Sequence, residues 1–275
     1  MNIQLAQESG FCFGVKKALD RVNSIENKED VYVLGKLIHN PQVIEDLKKH
    51  GIKFIESIEE IKQGTLVISA HGVSDDIIGK AKENKLKIID TTCPLVKNVH
   101  NITKNLEQQG YKIIIFGDKQ HTEVKGIKGN LKDPIIISNI KELDNLKQGK
   151  YALVSQTTQD VVKFKEISNK LKEKIRDLVI SDTICSATKS RQENAEKLAK
   201  EVDLMLVIGG YNSANTKRLR DICSKIIETK HIEKANELKK EWFKNKENIG
   251  ITAGASTPES VIKEVIESIN NISKN

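Results

Sequence analysis

Short apolar runs recur along the chain, each followed by a polar or small-residue loop and then by a stretch whose apolar residues repeat every three or four positions. VYVLGKLIHNPQVIEDL, TLVISAHGVSDDIIGKA, KIIIFGDKQHTEVKGI, YALVSQTTQDVVKF, LMLVIGGYNSANTKRL and NIGITAGASTPESVIKEV all have this form. The runs of β-favouring residues predict strands, and the helical spacing behind them predicts amphipathic helices. Strand alternating with helix predicts parallel sheets, with chemistry-bearing side chains at the carboxyl ends of strands and the amino ends of helices.

Three further units carry a cysteine in the loop: QLAQESGFCFGVKKAL, LKIIDTTCPLVKNVH and LVISDTICSATKSRQ. Cys12 precedes the polar loop at His39 by 27 residues, Cys93 precedes His121 by 28, and Cys185 precedes Ser213 by 28. A third loop follows in each segment, at His71, at Thr157 and Thr158, and at Ser256. Nine strand–helix units thus sort into three triplets, each opening with a cysteine. The cysteines are 81 and 92 residues apart, too long a period for a solenoid and suited to three related α/β modules. A pseudo-threefold arrangement would bring the three cysteine loops to one centre; the alternative is chance recurrence of short units of similar length.

A cysteine at a helix amino end is disposed to ionise, because the helix dipole and unbonded backbone N–H groups favour the thiolate. Three such anions at one place repel unless a cation sits among them, so a metal centre is the expected resolution. Structural zinc takes a fourth protein ligand, whereas an iron–sulfur cluster held by three thiolates keeps one iron open to an oxygen-bearing substrate. Cys223 falls on an apolar helical face with Leu219, Ile222 and Ile226 and is expected in the core. There is no CxxC pair.

Composition narrows the partners. Lys and Arg number 45 against 38 Asp and Glu, so the net charge of +7 admits an anionic ligand or an acidic protein. Aromatic residues make up only 4%, too few for a base-stacking surface, and no nucleic-acid partner is expected. The amino-terminal MNIQLAQESGFCFGVKKALD lacks the pattern of a secretory signal, and no apolar run approaches a membrane span. The expected setting is cytoplasmic, with reduced cysteines.

The series GFCFGVKKAL, LGKLIHNPQV, SAHGVS, TTCPLVKNVH, HTEVKGI, SQTT, DTICSATKSRQ, GGYNSANTKRL and GITAGASTPE, in this order across nearly the whole chain, closely resembles the 4-hydroxy-3-methylbut-2-enyl diphosphate reductase family. The resemblance implies a trefoil of three pseudo-threefold-related α/β modules with small parallel sheets around a central [4Fe–4S] cluster. The expected modules are 13–92, 93–184 and 185–275, with the strand in 1–12 joining the last. It implies Cys12, Cys93 and Cys185 as cluster ligands, leaving an open apical iron. It further implies two-electron removal of the allylic hydroxyl of the diphosphate substrate, giving isopentenyl and dimethylallyl diphosphate, with ferredoxin or flavodoxin as donor. The positions that match the substrate-binding set are His39, His71, His121, Glu123, Thr157, Thr158, Ser213, Ala214, Asn215 and Ser256. Here Ala214 stands where the family usually has a serine, so one side-chain hydroxyl is missing.

Glu123 is the expected proton source, with His121 as relay and diphosphate contact and Thr157 as hydrogen-bond partner of the hydroxyl or of Glu123. A helix-capping carboxylate is the competing reading for Glu123, and capping alone would explain Ser213, Asn215 and Ser256. The functional reading lets hydroxyls, amide and helix-end N–H groups cradle the diphosphate. His50, His100 and His231 lie in helical or lysine-rich stretches and are expected on the surface. A quinolinate synthase-like dehydratase shares the three-cysteine logic, but the SAN, GAS and HTEV loops favour the reductase. A basic metal- or nucleic-acid-binding module is the rival of another class.

Overall fold

The computed structural model describes residues 1–274. In chain order these form β1 (Asn2–Leu5), α1 (Phe13–Asn23), β2 (Val31–Leu34), α2 (Pro41–Lys49), β3 (Lys53–Ile55), β4 (Thr65–Ile68) and α3 (Asp75–Glu83). Next come β5 (Lys87–Asp90), α4 (Pro94–Gln108), β6 (Lys112–Phe116), α5 (Thr122–Lys128), β7 (Ile135–Ile137), β8 (Lys150–Ser155) and α6 (Val161–Lys174). The last stretch runs through β9 (Asp177–Ile180), α7 (Ser186–Ala199), β10 (Leu204–Ile208), α8 (Ala214–Cys223), β11 (Thr229–Ile232), β12 (Asn248–Ala253) and α9 (Glu259–Lys274).

The strands make three parallel four-stranded sheets, ordered β3-β2-β4-β5, β7-β6-β8-β9 and β11-β10-β12-β1. The winding is the same each time, and in the third sheet the last place is taken by β1, paired from Asn2↔Asn248 to Leu5↔Ile251. The expected α/β class with three small parallel sheets is the class the chain adopts. Backbone hydrogen bonds repeat with the winding. Gly35, Gly117 and Gly209, each just past the second strand in the order of its sheet (β2, β6 and β10), donate to the carbonyls of Ile55, Ile137 and Ile232 at 2.7, 2.9 and 2.9 Å.

Among the described residues the nine α-helices each follow a strand, as the pattern predicts. Three strands escape that pattern: β3, β7 and β11. Each is only three or four residues long and leads into short 3₁₀ turns (Ile58–Glu60 after β3, Ile140–Leu143 after β7, Ala235–Glu237 and Lys240–Phe243 after β11), so no helical period marks it.

Continuous apolar strands are buried on both faces because helices cover both sides of a parallel sheet. In β10, Leu204, Leu206 and Ile208 face Val261, Val265 and Ile269 of α9. The alternate residues Met205 and Val207 pack with Ala195 and Leu198 of α7 and with Leu219 and Cys223 of α8. The middle sheet repeats this, with Ile114, Phe116 and Leu153 on one side and Ile113, Ile115, Ala152 and Val154 on the other.

Two compact units result. One comprises Met1–Val15, His39–Val43 and Ser186–Asn275; the other comprises Lys16–Ile38 and Ile44–Cys185 and so holds two of the sheets. No helix of the described residues is long and apolar enough to cross a membrane.

Candidate active site

Every predicted cysteine ligand follows the fourth strand of a sheet and immediately precedes a helix: β1 leads to Cys12 and α1, β5 to Cys93 and α4, β9 to Cys185 and α7. The backbone holds all three in the same way. The N–H groups of Cys12, Cys93 and Cys185 donate to the carbonyls of Ala255, Ala70 and Thr157, each at 3.0 Å, and each carbonyl lies in the loop after the third strand of the same sheet. Cys93 is the N-cap of α4, with Pro94 at the first helical position, where a missing N–H removes no intrahelical bond. These three cysteines are partly exposed and none forms a disulfide. Cys223 contrasts with them: it is fully buried, and burial pushes its thiol up to about 12, so it stays protonated. Partly exposed thiols at helix starts are the donor type that an iron–sulfur group takes, whereas the fourth cysteine belongs to the core.

Within the larger unit, His71, His121, Glu123 and Thr157 come together. Glu123, on the first turn of α5, is 2% exposed. One carboxylate oxygen accepts from the Thr157 N–H at 2.6 Å and the other from the Thr157 hydroxyl at 2.9 Å. Burial raises its pKa from 4.5 to about 7 against the opposing effect of these bonds. A carboxyl group that ionises near neutrality can both donate and recover a proton. His121 caps α5 by accepting the Glu123 N–H on Nδ1 at 3.2 Å, which leaves Nε2 to carry the proton of the neutral ring. His71 meets His121 edge-on, with ring centroids 5.5 Å apart, and its Nδ1 lies 3.5 Å from Ser69 Oγ. Thr158 is fixed by Gln156, whose Nε2 donates to its hydroxyl at 2.9 Å while its Oε1 accepts the Asp118 N–H at 3.0 Å.

The smaller unit holds His39, Ser213, Ala214, Asn215 and Ser256. Ser213 caps α8, its hydroxyl accepting the Thr216 N–H at 3.3 Å. Ala214 and Asn215 follow at the first two helical positions, where backbone N–H groups have no intrahelical acceptor. Asn215 is 4% exposed, yet neither its Oδ1 nor its Nδ2 has a hydrogen-bond partner. Such an amide is expensive to bury unless something polar arrives. Ser256 donates to the carbonyl of His39 at 3.0 Å.

Two expectations need correction. His100 is buried, its ring packed beneath Gly72, because the helix face that carries it turns toward the His71 loop. His231 is half-buried, with Nε2 2.8 Å from the Gly209 carbonyl and its ring 4.6 Å from that of Tyr211. His50 is exposed as expected. Thr216 was not singled out by the sequence pattern. Its buried hydroxyl sits between strand ends so close that a Cβ at Gly209 would lie 2.8 Å from it. The glycines after β10 and β12 were the only available signal.

A model of the LytB protein family matches residues 3–270. The chain is 43% identical over 279 residues to a 4-hydroxy-3-methylbut-2-enyl diphosphate reductase of Clostridioides difficile, covering 99% of this chain and all of that one. It is 46% identical to a reductase of the same name from Campylobacter hominis, with 99% and 100% covered. Among solved structures it resembles an (E)-4-hydroxy-3-methyl-but-2-enyl diphosphate reductase at 38% identity and a TM-score of 0.69, covering 98% of this chain and 100% of that one. It also resembles the corresponding reductase of Plasmodium falciparum at 32% identity and a TM-score of 0.91, covering 98% and 87%.

Proposed function

The chain belongs to the LytB protein family, and on that footing we propose that it reduces 4-hydroxy-3-methylbut-2-enyl diphosphate to isopentenyl and dimethylallyl diphosphate. The observation that carries the reading is Glu123: a buried acid ionising near pH 7, gripped through both oxygens by Thr157 and adjoining His121. The reaction takes up two electrons and two protons, breaks the allylic C–O bond, forms a C–H bond and releases water. Hydroxide leaves poorly, so a proton has to reach its oxygen as the bond breaks.

A [4Fe–4S] cluster bound by Cys12, Cys93 and Cys185 would supply the electrons one at a time and an iron, bare of cysteine, to polarise the hydroxyl. Glu123 holds the proton for the leaving oxygen and for the allyl carbon. Thr157 fixes the Glu123 carboxyl by two bonds, and its hydroxyl oxygen, whose proton goes to Glu123, accepts from the substrate hydroxyl. His121, with Nδ1 engaged by the Glu123 N–H, directs Nε2–H to the diphosphate or to a proton relay. Asn215 answers the diphosphate with an amide that otherwise lacks partners, beside the N–H groups of Ala214 and Asn215. His39, His71, Thr158, Ser213 and Ser256 complete its polar surround. The donor of electrons is a small acidic ferredoxin or flavodoxin, drawn by the chain's net positive charge.

The test is anaerobic. Purified protein of brown colour is mixed with reduced methyl viologen and the hydroxylated allylic diphosphate. Rapid, substrate-dependent reoxidation is expected. An intact brown protein that leaves the dye reduced overturns the assignment in favour of a dehydratase.

A further inference from the structure

Asn130, just beyond α5, bonds three separate segments of the larger unit. Its Oδ1 accepts the Asp75 N–H at the start of α3 at 2.7 Å. Its Nδ2 donates to the Gly126 carbonyl of α5 at 3.1 Å and to His100 Nδ1 of α4 at 2.9 Å. The two backbone groups decide which way the amide faces. Turned over, it would set its N–H against the Asp75 N–H and its oxygen against the Gly126 carbonyl. His100 Nδ1 is therefore an acceptor, and the neutral ring carries its proton on Nε2. Burial holds this ring's pKa below its ordinary value, so the acceptor persists at neutral pH.

The same ring supports the loop of His71. A Cβ at Gly72, whose φ is +73°, would lie 3.4 Å from His100 Cε1 and 3.5 Å from Nε2. On α5, a Cβ at Gly126 would lie 3.3 Å from the Gly72 carbonyl oxygen, so helix and loop touch where Asn130 bonds. Gly72 directly follows His71, and α5 carries Glu123 and is capped by His121. His100 itself stands on the helix that Cys93 opens.

We propose that the Asn130–His100 pair is a clasp that seats the His71 loop against α5, which makes both residues positioning residues for the reduction proposed above; the inference rests on that reading. Neither side chain touches the reacting atoms. The clasp acts by holding Glu123, His121 and His71 at the separations the proton transfer needs.

Steady-state kinetics of the cluster-bearing protein test it. His100→Leu removes the acceptor, while His100→Asn keeps one near the position of Nδ1. The leucine variant is expected to lose about tenfold in kcat with KM and iron content near those of the wild type, and the asparagine variant to recover most of the loss. Asn130→Leu gives the same test from the other side should His100→Leu not fold. The double leucine variant should be no worse than the poorer single one. Unchanged kcat in the leucine variants, or equal losses with asparagine and leucine at 100, overturns the clasp. A wild type that leaves the substrate unreduced overturns the reading of the reaction instead. Melting temperatures of the single and double variants then decide the clasp: losses that add overturn it, and a double variant no less stable than the worse single supports it.

Discussion

Glu123 is a residue whose chemistry depends on its surroundings. Its sequence context, HTEV at a helix start, fits a capping carboxylate as well as a proton donor, and only burial distinguishes the two. With its folded pKa raised from 4.5 to about 7, the acid form is the one that donates, so kcat is expected to fall as pH rises through about 7. The pH profile of wild-type turnover checks this, and Glu123→Gln should bind substrate yet lose most turnover at every pH. The same shift bears on stability. The unfolded chain ionises near 4.5, so the folded state meets no penalty below that and loses stability as pH rises through about 7. Between pH 5 and 8 the wild type should lose roughly 2–3 kcal/mol relative to Glu123→Gln, as urea titrations at the two pH values would measure. Gly72 is the other telling position. Its φ of +73° strains any L side chain, and a Cβ there would press on Thr92 Cγ2 at 3.0 Å. Gly72→Ala should cost about 1–2 kcal/mol by thermal unfolding and disturb the contact of His71 with His121.

The strand–loop–helix unit explains why the chemistry is where it is. A parallel strand ends with its last carbonyls and the next helix begins with unbonded N–H groups, so the loop between them collects polar side chains. Cys12, Cys93 and Cys185 share one such seat, anchored by the same backbone bond to the neighbouring loop. Cys223 is the last residue of α8, with its sulfur 3.8 Å from the Ala195 carbonyl, and serves packing. Cys93→Ser should therefore abolish the brown absorbance of the purified protein and most of its iron. Cys223→Ala should keep both, while losing about 1–2 kcal/mol for the missing buried sulfur. Iron loss from Cys223→Ala would mean that the ligands are misassigned. The nine strand–helix pairs were readable because each couples a short apolar run to a helical period. The strands β3, β7 and β11 were not, because three or four residues before short 3₁₀ turns carry no such signature.

Over the whole molecule, the same winding occurs three times, and the third sheet closes only by borrowing β1 from the far end of the chain. Ile3, partly buried against the α9 side of that sheet, is the side chain through which β1 docks. Ile3→Asp should speed hydrogen exchange of the β12 amides while those of β4 and β8 stay slow, since neither pairs with β1. Sequence alone determined the local facts: which runs are strands and helices, which cysteines stand at helix starts and which lies in a core, and the threefold recurrence that orders them. Those follow from periodicity and residue chemistry, which act over a few positions. Only the tertiary structure decided that Glu123 is buried with Thr157, 34 positions away in the chain, that the Asn215 amide is enclosed without partners, and that His100 lies under the His71 loop instead of on the surface. The reason is physical: burial and the pairing of distant groups depend on which faces meet when the sheets and helices pack. A lone histidine or glutamate in a helical stretch carries no mark of the face it will meet.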